Sequence, residues 1–508
     1  MTETESQTEA IVFLSDPSTH GGMPVERIST HGAHVFLAGD LAYKLKRAVK
    51  LPFMDFSTIE NRHAVLDAEL RINRTTAPGI YIEVRPICRA EGGALGFGGD
   101  GTVLDWVLVM RRFDQDDLLD RMACRGALDA PIMGALAEEI AAMHRRAPVI
   151  SRPEGEVFTK TALDNIPALR DAPVDQGLVD KLEGLLQAGC AEHKRYLDNR
   201  AAGGFVRRCH GDLHLRNIVL LDGRPAPFDA LEFDDGLATG DVFYDLAFLL
   251  MDIDHRGLRW LANGVLNRYV GLTDDIEGVR ALPLFLAVRA AIRAKVTVIS
   301  AAVSGGDRSS LLRDASSYLE LAVGYLPSRA PVLAAIGGLS GTGKSRVAAA
   351  LAPKLGQCPG ALVFRSDVFR KRLHGVEETV RLPPEAYTEQ ATGRVYSALL
   401  DAAGRCVRAR HPAIIDAVFS KPAERAAVED LAKRHGVKFI GLWLETGLEV
   451  RKARVAARSK DASDADTAIV ERQETYQVGQ VTWHTVDANG SIERTRNQVA
   501  AILRRLDR

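Results

Sequence analysis

Residues 338–345 read Gly-Leu-Ser-Gly-Thr-Gly-Lys-Ser and lie between a short apolar run and a stretch with the pattern of a helix. This spacing, GxxxxGK[ST] between a strand and a helix, is typical of a loop that binds nucleotide phosphates. Glycines let backbone N–H groups curl around a phosphate, and the start of the helix adds partial positive charge. We expect the nucleotide to be contacted by Gly338, Ser340, Gly341, Thr342, Gly343, Lys344 and Ser345. Ser345 is also expected to bind Mg²⁺.

Three further apolar runs follow this loop, at 361–366, 413–419 and 438–445, with helical patterns between them. Strands that are apolar on consecutive positions are buried on both faces, as in a parallel sheet that is covered by crossover helices. The segment 326–331, ahead of the loop, places two prolines around a polar stretch. We therefore predict a domain boundary there and an α/β domain with a parallel sheet over residues 331–508.

Charged side chains follow the run that ends near residue 366, at the edge where open α/β sheets bind ligands. Asp367 is our candidate for the general base that takes a proton from an acceptor hydroxyl, and Arg370 and Arg365 are candidates for holding that acceptor. Asp416 ends the next run, where an acid that holds Mg²⁺ is expected. The alternative for Asp367 is a helix N-cap with arginines facing solvent, and the two roles are compatible. The arrangement is similar to that of small P-loop kinases such as polynucleotide and gluconate kinases.

Three arginines recur at helical spacing beside the acidic cluster 461–466, namely Arg451, Arg454 and Arg458. They resemble the lid arginines that P-loop kinases lay over the transferred phosphoryl group, where cations stabilise developing negative charge. We expect Arg454 and Arg458 to contact the nucleotide. A solvated basic face of a helix is the alternative.

A different signature lies in the first half, where residues 210–217 read His-Gly-Asp-Leu-His-Leu-Arg-Asn. The D-xxxx-N spacing is that of a kinase catalytic loop. We predict that Asp212 accepts or orients the proton of an acceptor hydroxyl, and that Asn217 on the same loop binds Mg²⁺. Asp229 follows a predicted hairpin and stands where a second metal-binding acid is expected.

These motifs resemble those of aminoglycoside phosphotransferases and related small-molecule kinases, in which HGDxxxxN precedes a strand that contains an aspartate. The resemblance implies an α+β bilobal fold of the protein-kinase type over residues 1–325, with a small lobe at about 1–113 and a large lobe at about 114–325. It also implies that Asp241 and Asp245 brace the catalytic loop.

The small lobe of this family carries a phosphate-binding lysine at the end of a strand, and Tyr-Lys-Leu-Lys at 43–46 occupies that position here. We favour Lys46, but Lys44 points to the same face of a strand, so spacing alone leaves the choice open. Glu69 on the following helix is the predicted partner of the lysine. An exposed helix acid is the alternative for Glu69.

The whole order of motifs resembles a group of bacterial bifunctional proteins, in which an aminoglycoside-phosphotransferase-like domain precedes a P-loop, AAA-type ATP-binding kinase. This resemblance implies ATP and Mg²⁺ as cofactors. It leaves the acceptor open, because a fold does not determine a substrate.

Composition restricts the class of protein further. The 508 residues exceed what a single core supports. Lys and Arg number 65 against 66 Asp and Glu, so no net positive field attracts the chain to nucleic acid or to an anionic membrane. The 6 cysteines form no CxxC pair, and no apolar run reaches the roughly 20 residues of a membrane span. We expect a cytoplasmic protein without membrane contact, and we leave its oligomeric state open.

We expect each half to transfer the γ-phosphoryl group of Mg·ATP to a small hydroxylated acceptor. Two alternatives concern the P-loop half, which is either a nucleotide-sensing module that regulates the other half or a kinase for polynucleotide 5′-OH ends. The near-zero net charge argues against long nucleic acids as partners, although the P-loop site keeps that possibility open.

Overall fold

The computed structural model describes residues 5–30, 32–51, 54–303, 307–326, 330–457 and 462–506. The chain divides into two compact units, one formed by Met1–Asp164 with Cys190–Asp252 and the other by Asn165–Gly189 with Ile253–Arg508. The helices between 259 and 325, which we had assigned to the first domain, therefore belong to the same compact unit as the P-loop half.

The first unit starts with a small lobe that is built on an antiparallel sheet. Its strands are β1 (Val25–Ser29), β2 (Ala33–Ala38), β3 (Leu41–Lys46), β4 (Lys50–Leu51), β5 (Met54–Asp55), β6 (Tyr81–Arg89), β7 (Leu95–Phe97) and β8 (Thr102–Arg111). Six of them form the sheet, in the order β1-β2-β3-β8-β6-β7, while β4 and β5 pair separately. The helices of this lobe are α1 (Glu5–Ser15) and α2 (Ile59–Asn73).

Helix α2 packs on β6 and β8 through a cluster that includes Leu66, Tyr81 and Leu108. Its first turn is capped by Thr58, whose hydroxyl oxygen accepts the backbone N–H of Asn61. The opposite face of the sheet packs on α1 around Phe36 and Leu45. Because one face of α2 is held against the sheet, its polar residues on that side lie close to β3.

The chain from 119 to 255 forms most of the large lobe. Its elements are α3 (Leu119–Cys124), α4 (Ala130–Arg146), α5 (Gly155–Leu163), α6 (Ile166–Arg170), α7 (Gln176–Ala202), β9 (Val206–Arg208), β10 (Ile218–Leu221), β11 (Arg224–Pro227), α8 (Asp235–Ala238), β12 (Thr239–Asp241) and α9 (Val242–His255). The predicted hairpin is confirmed, since β10 pairs antiparallel with β11 and Leu221 faces Arg224 across the turn. Strands β9 and β12 form a second antiparallel pair.

The second unit contains a helical part, to which α6 and the start of α7 also belong, and the P-loop part. The helical elements that follow residue 255 are α10 (Arg259–Thr273), α11 (Leu282–Val303) and α12 (Arg308–Tyr325). The P-loop part contains β13 (Val332–Gly337), α13 (Lys344–Leu351), β14 (Leu362–Arg365), α14 (Ser366–Leu373), α15 (Glu389–Arg408), β15 (Ala413–Asp416), α16 (Pro422–His435), β16 (Lys438–Glu445), α17 (Leu448–Ala456), α18 (Thr467–Arg472), β17 (His484–Asp487) and α19 (Ile492–Leu506).

The strands of the P-loop part form one parallel sheet in the order β14-β15-β13-β16-β17. This confirms the predicted α/β fold with a parallel sheet. Its core includes Ile336, Ile414 and Leu442 from the central strands, which are buried between helices as consecutive apolar residues should be. None of the described helices is long and apolar enough to cross a membrane.

Candidate active sites

The loop that carries Asp212 turns at Gly211, where φ is +82°. A Cβ atom at this position would lie 3.1 Å from the Cα of Ala238 and 3.1 Å from the Cβ of Leu231. The left-handed conformation and the lack of space both exclude a side chain, so glycine is required in the middle of this His-Gly-Asp motif.

A buried carboxylate on α9, that of Asp245, braces this loop. Its oxygens accept the backbone N–H of Gly211 at 2.8 Å and that of His210 at 3.2 Å. Asp241 pairs with the guanidinium of Arg200, whose Nη2 lies 3.0 Å from Oδ1 of the aspartate. The expected bracing role thus has direct contacts for Asp245, whereas Asp241 anchors the strand β12 beside the loop.

The side chains of Asp212 and Asn217 meet within the loop. Nδ2 of Asn217 donates to Oδ2 of Asp212 at 2.9 Å and to the backbone carbonyl of Asp212 at 3.0 Å. Nε2 of His214 lies 3.4 Å from the same Oδ2. The loop therefore brings a carboxylate that can orient a hydroxyl next to an amide whose oxygen is a suitable ligand for Mg²⁺.

Asp229 follows β11 and has a φ of +57°, a left-handed conformation that aspartate adopts more readily than most residues. Its N–H donates to Oη of Tyr81 at 3.0 Å, and the N–H of Ala230 donates to Oδ1 of Asn73 at 2.8 Å. Burial acts to raise the pKa of Asp229, but the ammonium group of Lys44 outweighs it, so that the pKa lies below its ordinary value. Asp229 is therefore ionised and fixed in a conformation that can bind a cation.

Two lysines of β3 share one buried carboxylate. Nζ of Lys44 lies 2.7 Å from Oε1 of Glu69 and 2.7 Å from Oδ1 of Asp229. Nζ of Lys46 lies 2.7 Å from Oε2 of Glu69 and 2.6 Å from Oε1 of Glu232. Glu69 is fully buried rather than exposed, so the surface alternative is wrong. The sequence favoured Lys46 as the phosphate-binding lysine, whereas the geometry favours Lys44, because its ammonium group contacts the metal-binding candidate Asp229.

In the second unit, the loop between β13 and α13 curls as the sequence predicts. Gly341 has a φ of +86°, and a Cβ atom there would lie 2.7 Å from the carbonyl oxygen of Arg451. Nζ of Lys344 donates to the carbonyl of Leu339 at 3.1 Å. The lysine therefore lies across its own loop, where its charge can meet the phosphates of a bound nucleotide.

The serine and the aspartate that we predicted as metal ligands lie together, the serine in the first turn of α13 and the aspartate at the end of β15. Oγ of Ser345 donates to Oδ2 of Asp416 at 2.6 Å. Hydroxyl and carboxylate oxygens are the donors that Mg²⁺ prefers, so this pair suits the metal of a bound nucleotide. A cavity of about 600 Å³ opens beside it. Its lining includes Ser340, Gly341, Thr342, Gly343, Lys344, Ser345, Ser366, Asp367, Asp416, Arg454 and Ser463.

Asp367 lies in the first turn of α14, directly after β14, and lines this cavity. Burial is the main cause that raises the pKa of Asp367, and the nearby carboxylate of Asp416 raises it further. The N-cap alternative is wrong, because α14 begins at Ser366 and its cap residue is Arg365. A buried carboxylate with a raised pKa suits a general base.

The two arginines predicted to hold the acceptor lie behind the cavity wall. Nε of Arg365 lies 3.5 Å from Oδ2 of Asp416. Nη1 of Arg370 donates to the carbonyl of Ala386 at 2.6 Å, and its guanidinium stands 4.8 Å from the ring centre of Tyr387. Arg370 is buried, so it does not face solvent. A direct contact of either arginine with an acceptor stays a prediction.

The three predicted lid arginines have different environments. Arg451 is only 2% exposed, and its Nε donates to the carbonyl of Ser340 at 2.9 Å, so it supports the phosphate-binding loop and is not part of a solvated face. Arg454 lines the cavity, and its Nη2 donates to the carbonyl of Gly490 at 3.1 Å. Arg458 lies outside the described residues.

Several residues of the first site were not singled out from the sequence. His144 bonds through Nε2 to Asp245 at 3.0 Å, and Asp252 accepts the N–H of Leu215 at 3.0 Å. Glu232 pairs with Lys46, and burial raises its pKa above the ordinary value. Glu232 could have been identified from the sequence, because it is an acid three positions after Asp229. The other residues could not, because their partners are distant along the chain.

The second site also contains supporting residues that could not be predicted, because they belong to no local sequence motif. Gln473 accepts the N–H of Ser340 through Oε1 at 2.7 Å and donates to its Oγ from Nε2 at 3.0 Å. Lys371 is 1% exposed, and its Nζ lies 2.6 Å from Asp464 in the predicted acidic cluster. The backbone N–H of Leu382 donates to Oδ2 of the same carboxylate at 3.0 Å. These contacts hold the phosphate-binding loop at Ser340 and helix α14 at Lys371.

Comparison with known proteins gives a match in each half. Residues 83–282 match the model of the phosphotransferase enzyme family, and residues 333–477 match that of an AAA domain. Uncharacterized proteins of Mycobacterium tuberculosis and Mycobacterium bovis are 29% identical over 486 residues, which cover 94% of this chain and 94% of theirs. The two matches confirm the resemblance drawn from the motifs.

Solved structures with low identity show similarity to each part separately. A choline/ethanolamine kinase family protein from Mesorhizobium loti is 15% identical, with a TM-score of 0.41, over 62% of this chain and 94% of that one. A gluconokinase from Sinorhizobium meliloti is 21% identical, with a TM-score of 0.26, over 35% of this chain and 94% of that one. The chain itself shows an antiparallel sheet in the first unit and a parallel sheet around the phosphate-binding loop in the second, and together with the two family matches this agrees with the predicted fold class.

Proposed function

We propose that this chain is a bifunctional kinase, in which a phosphotransferase-family segment precedes an AAA domain. Each of its two sites transfers the γ-phosphoryl group of Mg·ATP to a small hydroxylated acceptor. The observation that carries this proposal is the same chemical set in each compact unit. Each set combines an aspartate suited to accept a proton, a carboxylate suited to bind metal and a lysine suited to bind phosphate. The two sets are Asp212, Asp229 and Lys44, and Asp367, Asp416 and Lys344.

Mg·ATP, when bound, supplies the phosphoryl group and the cation that neutralises its charge. In the first site, Asn217 and Asp229 would hold the metal ion and Lys44 would bind the phosphates. Asp212 accepts the proton of the acceptor hydroxyl while the new O–P bond forms and the bond to ADP breaks. Asp245 keeps the loop that bears Asp212 in register through two backbone N–H groups.

In the second site, the backbone N–H groups of the glycine-rich loop and Lys344 would bind the phosphates, and Ser345 with Asp416 would hold the metal ion. Asp367 accepts the proton of the acceptor hydroxyl. Its raised pKa supports this role, because a stronger base removes a hydroxyl proton more readily. Arg454, on the cavity wall, is suited to compensate charge on the transferred group.

The test is a search for phosphorylated products with the purified full-length chain. Labelled ATP is offered with a panel of alcohols, sugars, nucleosides and 5′-OH oligonucleotides, to wild type and to Asp212→Ala, Lys344→Ala and the double variant. We expect each single variant to lose one class of product and keep the other, and the double variant to lose both.

Two outcomes would contradict the proposal. One is that no acceptor in the panel is phosphorylated by either site. The other is that Lys344→Ala changes only the kinetics of Asp212-dependent transfer, which would make the P-loop half a nucleotide-sensing regulator. Products confined to 5′-OH oligonucleotides would narrow the second site to a polynucleotide kinase.

A further inference from the structure

Strand β14 forms one edge of the parallel sheet and leads directly to Asp367. Its inner side is paired with the chain beside it, since the N–H of Leu362 donates to the carbonyl of Pro412 at 3.0 Å. The neighbouring residues Ala361 and Val363 point their polar backbone groups to the outer side, because alternate residues of a strand face opposite neighbours. Such an edge needs partners other than a strand.

Two asparagines of α10 supply these partners. Oδ1 of Asn267 accepts the N–H of Val363 at 2.7 Å, and its Nδ2 donates to the carbonyl of Ala361 at 3.1 Å. Nδ2 of Asn263 donates to the same carbonyl at 3.0 Å. One carboxamide thus presents a donor and an acceptor to the strand edge, as the peptide group of an added strand would.

Ion pairs extend the contact from β14 to the helix that carries Asp367. Nη1 of Arg268 on α10 lies 2.7 Å from Glu378, which follows α14. Nη2 of Arg372 near the end of α14 lies 3.0 Å from Asp274, the residue that caps α10. Each exposed pair contributes little alone. Together with the buried amide contacts, however, they hold both the start and the end of the α14 region against α10.

We propose that α10 positions Asp367 for catalysis, acting through β14, with Asn267 as the main positioning residue. Because α10 lies within the segment 83–282 that matches the phosphotransferase enzyme family, the P-loop reaction then depends on a helix of the other family's segment. This inference rests on the proposed role of Asp367 as the base of the second site.

The physical reason is the geometric demand on a general base, which must lie within hydrogen-bond reach of the proton that it accepts. A displacement of about 1 Å can lower a rate by about 10²-fold. The phosphate-binding loop follows β13, which β15 separates from β14, so a disturbance at the sheet edge must cross β15 before it affects that loop. Loss of Asn267 should therefore affect turnover more than nucleotide affinity.

The experiment uses the full chain with Asp212→Ala, so that turnover reports the second site. The substrate is Mg·ATP alone, and water is the acceptor. Asn267→Leu removes both strand contacts at similar side-chain volume, and Asn263→Ala is a milder change that leaves Asn267 in place. Arg268→Gln, one position from Asn267, is the matched control that removes only an exposed ion pair. Hydrogen exchange, the affinity for a fluorescent ATP analogue and the hydrolysis rate are measured for each.

We expect Asn267→Leu to speed exchange of the amides at 363–367 by at least tenfold and to lower kcat by at least tenfold. Nucleotide affinity should change by less than threefold. Asn263→Ala should give smaller changes in the same direction, and Arg268→Gln should match the parent. Unchanged exchange, unchanged kcat, or an equal loss of affinity and kcat in Asn267→Leu would each overturn the positioning role.

Asp367→Asn separates this inference from the function that it rests on. If that variant hydrolyses ATP as fast as the parent, Asp367 is not the base, and the proposed function of the second site fails whatever the exchange data show. If Asp367→Asn is inactive and Asn267→Leu is fully active, only the positioning role fails.

Discussion

The ammonium group of Lys44 lies 2.7 Å from a carboxylate oxygen of Asp229, although 185 residues separate the two along the chain. The contact joins the strand that carries the phosphate-binding candidate to the loop that carries the metal-binding candidate. Under the proposed function, a metal ion would take the place of the ammonium group beside Asp229, and phosphates would take the place of the carboxylate beside Lys44.

The same contact distinguishes the two lysines of β3. Lys44→Met should lower transfer at the first site by about 10²–10³-fold, because it removes a cation aimed at the phosphates. Lys46→Met should lower it less, since Lys46 pairs with Glu69 and Glu232 and not with Asp229. The measurement is Asp212-dependent product formation in each variant, with Lys344→Ala as the background. A larger loss in Lys46→Met would restore the choice that the sequence favoured.

The choice between these lysines could not be made from the sequence alone. Asp212 and Asn217 are five positions apart on one loop, so their spacing alone predicted their meeting. Lys44 and Lys46 share one face of a strand, and only a distant residue that the fold brings to that face distinguishes them. Local patterns therefore predicted the hairpin and the apolar strands of the parallel sheet, whereas it is a tertiary contact that favours Lys44 over Lys46.

Arg370 illustrates the same limit in the second site. Its spacing from Asp367 predicted a contact with the acceptor, which stays a prediction, whereas its hydrogen bond to the carbonyl of Ala386 could not be read from any spacing. The contacts of α10 with β14 could not be predicted from the sequence either. Asn263 and Asn267 belong to no motif, and they bond to a strand about 95 residues later.

Asp367→Asn should separate stability from activity. Loss of a general base lowers a rate by about 10²–10⁴-fold. The variant should nonetheless unfold at a higher temperature at pH 7, because burial and Asp416 disfavour the charged carboxylate in the folded state. Since the folded-state pKa of Asp367 is raised, this gain in the free energy of unfolding should shrink as the pH falls and Asp367 becomes protonated, first in the folded and then in the unfolded chain. A lower melting temperature at pH 7 would contradict the account of this carboxylate.

Gly211→Ala tests the requirement for glycine in the catalytic loop. The new Cβ would contact Ala238 and Leu231 from a left-handed backbone, at a cost of about 1–3 kcal/mol in the free energy of unfolding. Gly134→Ala is the control, because Gly134 lies within α4 and no atom stands within 4 Å of its added Cβ. That control should be neutral or stabilise by about 0.5–1 kcal/mol. Chemical denaturation measures both, and equal effects would refute the steric argument.

The stability of the second unit should decrease in mild acid because of His411. Burial lowers the pKa of His411 to about 4, and its Nε2 bonds to the carbonyl of Gly360 at 2.9 Å. The unfolded chain therefore binds one more proton than the folded chain between about pH 4 and pH 6.5. The free energy of unfolding should fall by about 1.4 kcal/mol per pH unit across this window from this group alone. Denaturation of wild type and His411→Gln at several pH values should show a smaller decrease in the variant.

The number of Mg·nucleotide molecules that one chain binds tests the central claim most directly. Isothermal titration calorimetry with a non-hydrolysable ATP analogue and Mg²⁺ should give a stoichiometry of two for wild type. Lys344→Ala and Lys44→Met should each reduce it to one, and the double variant should bind none. A stoichiometry of one for wild type would contradict the presence of two nucleotide sites in this chain.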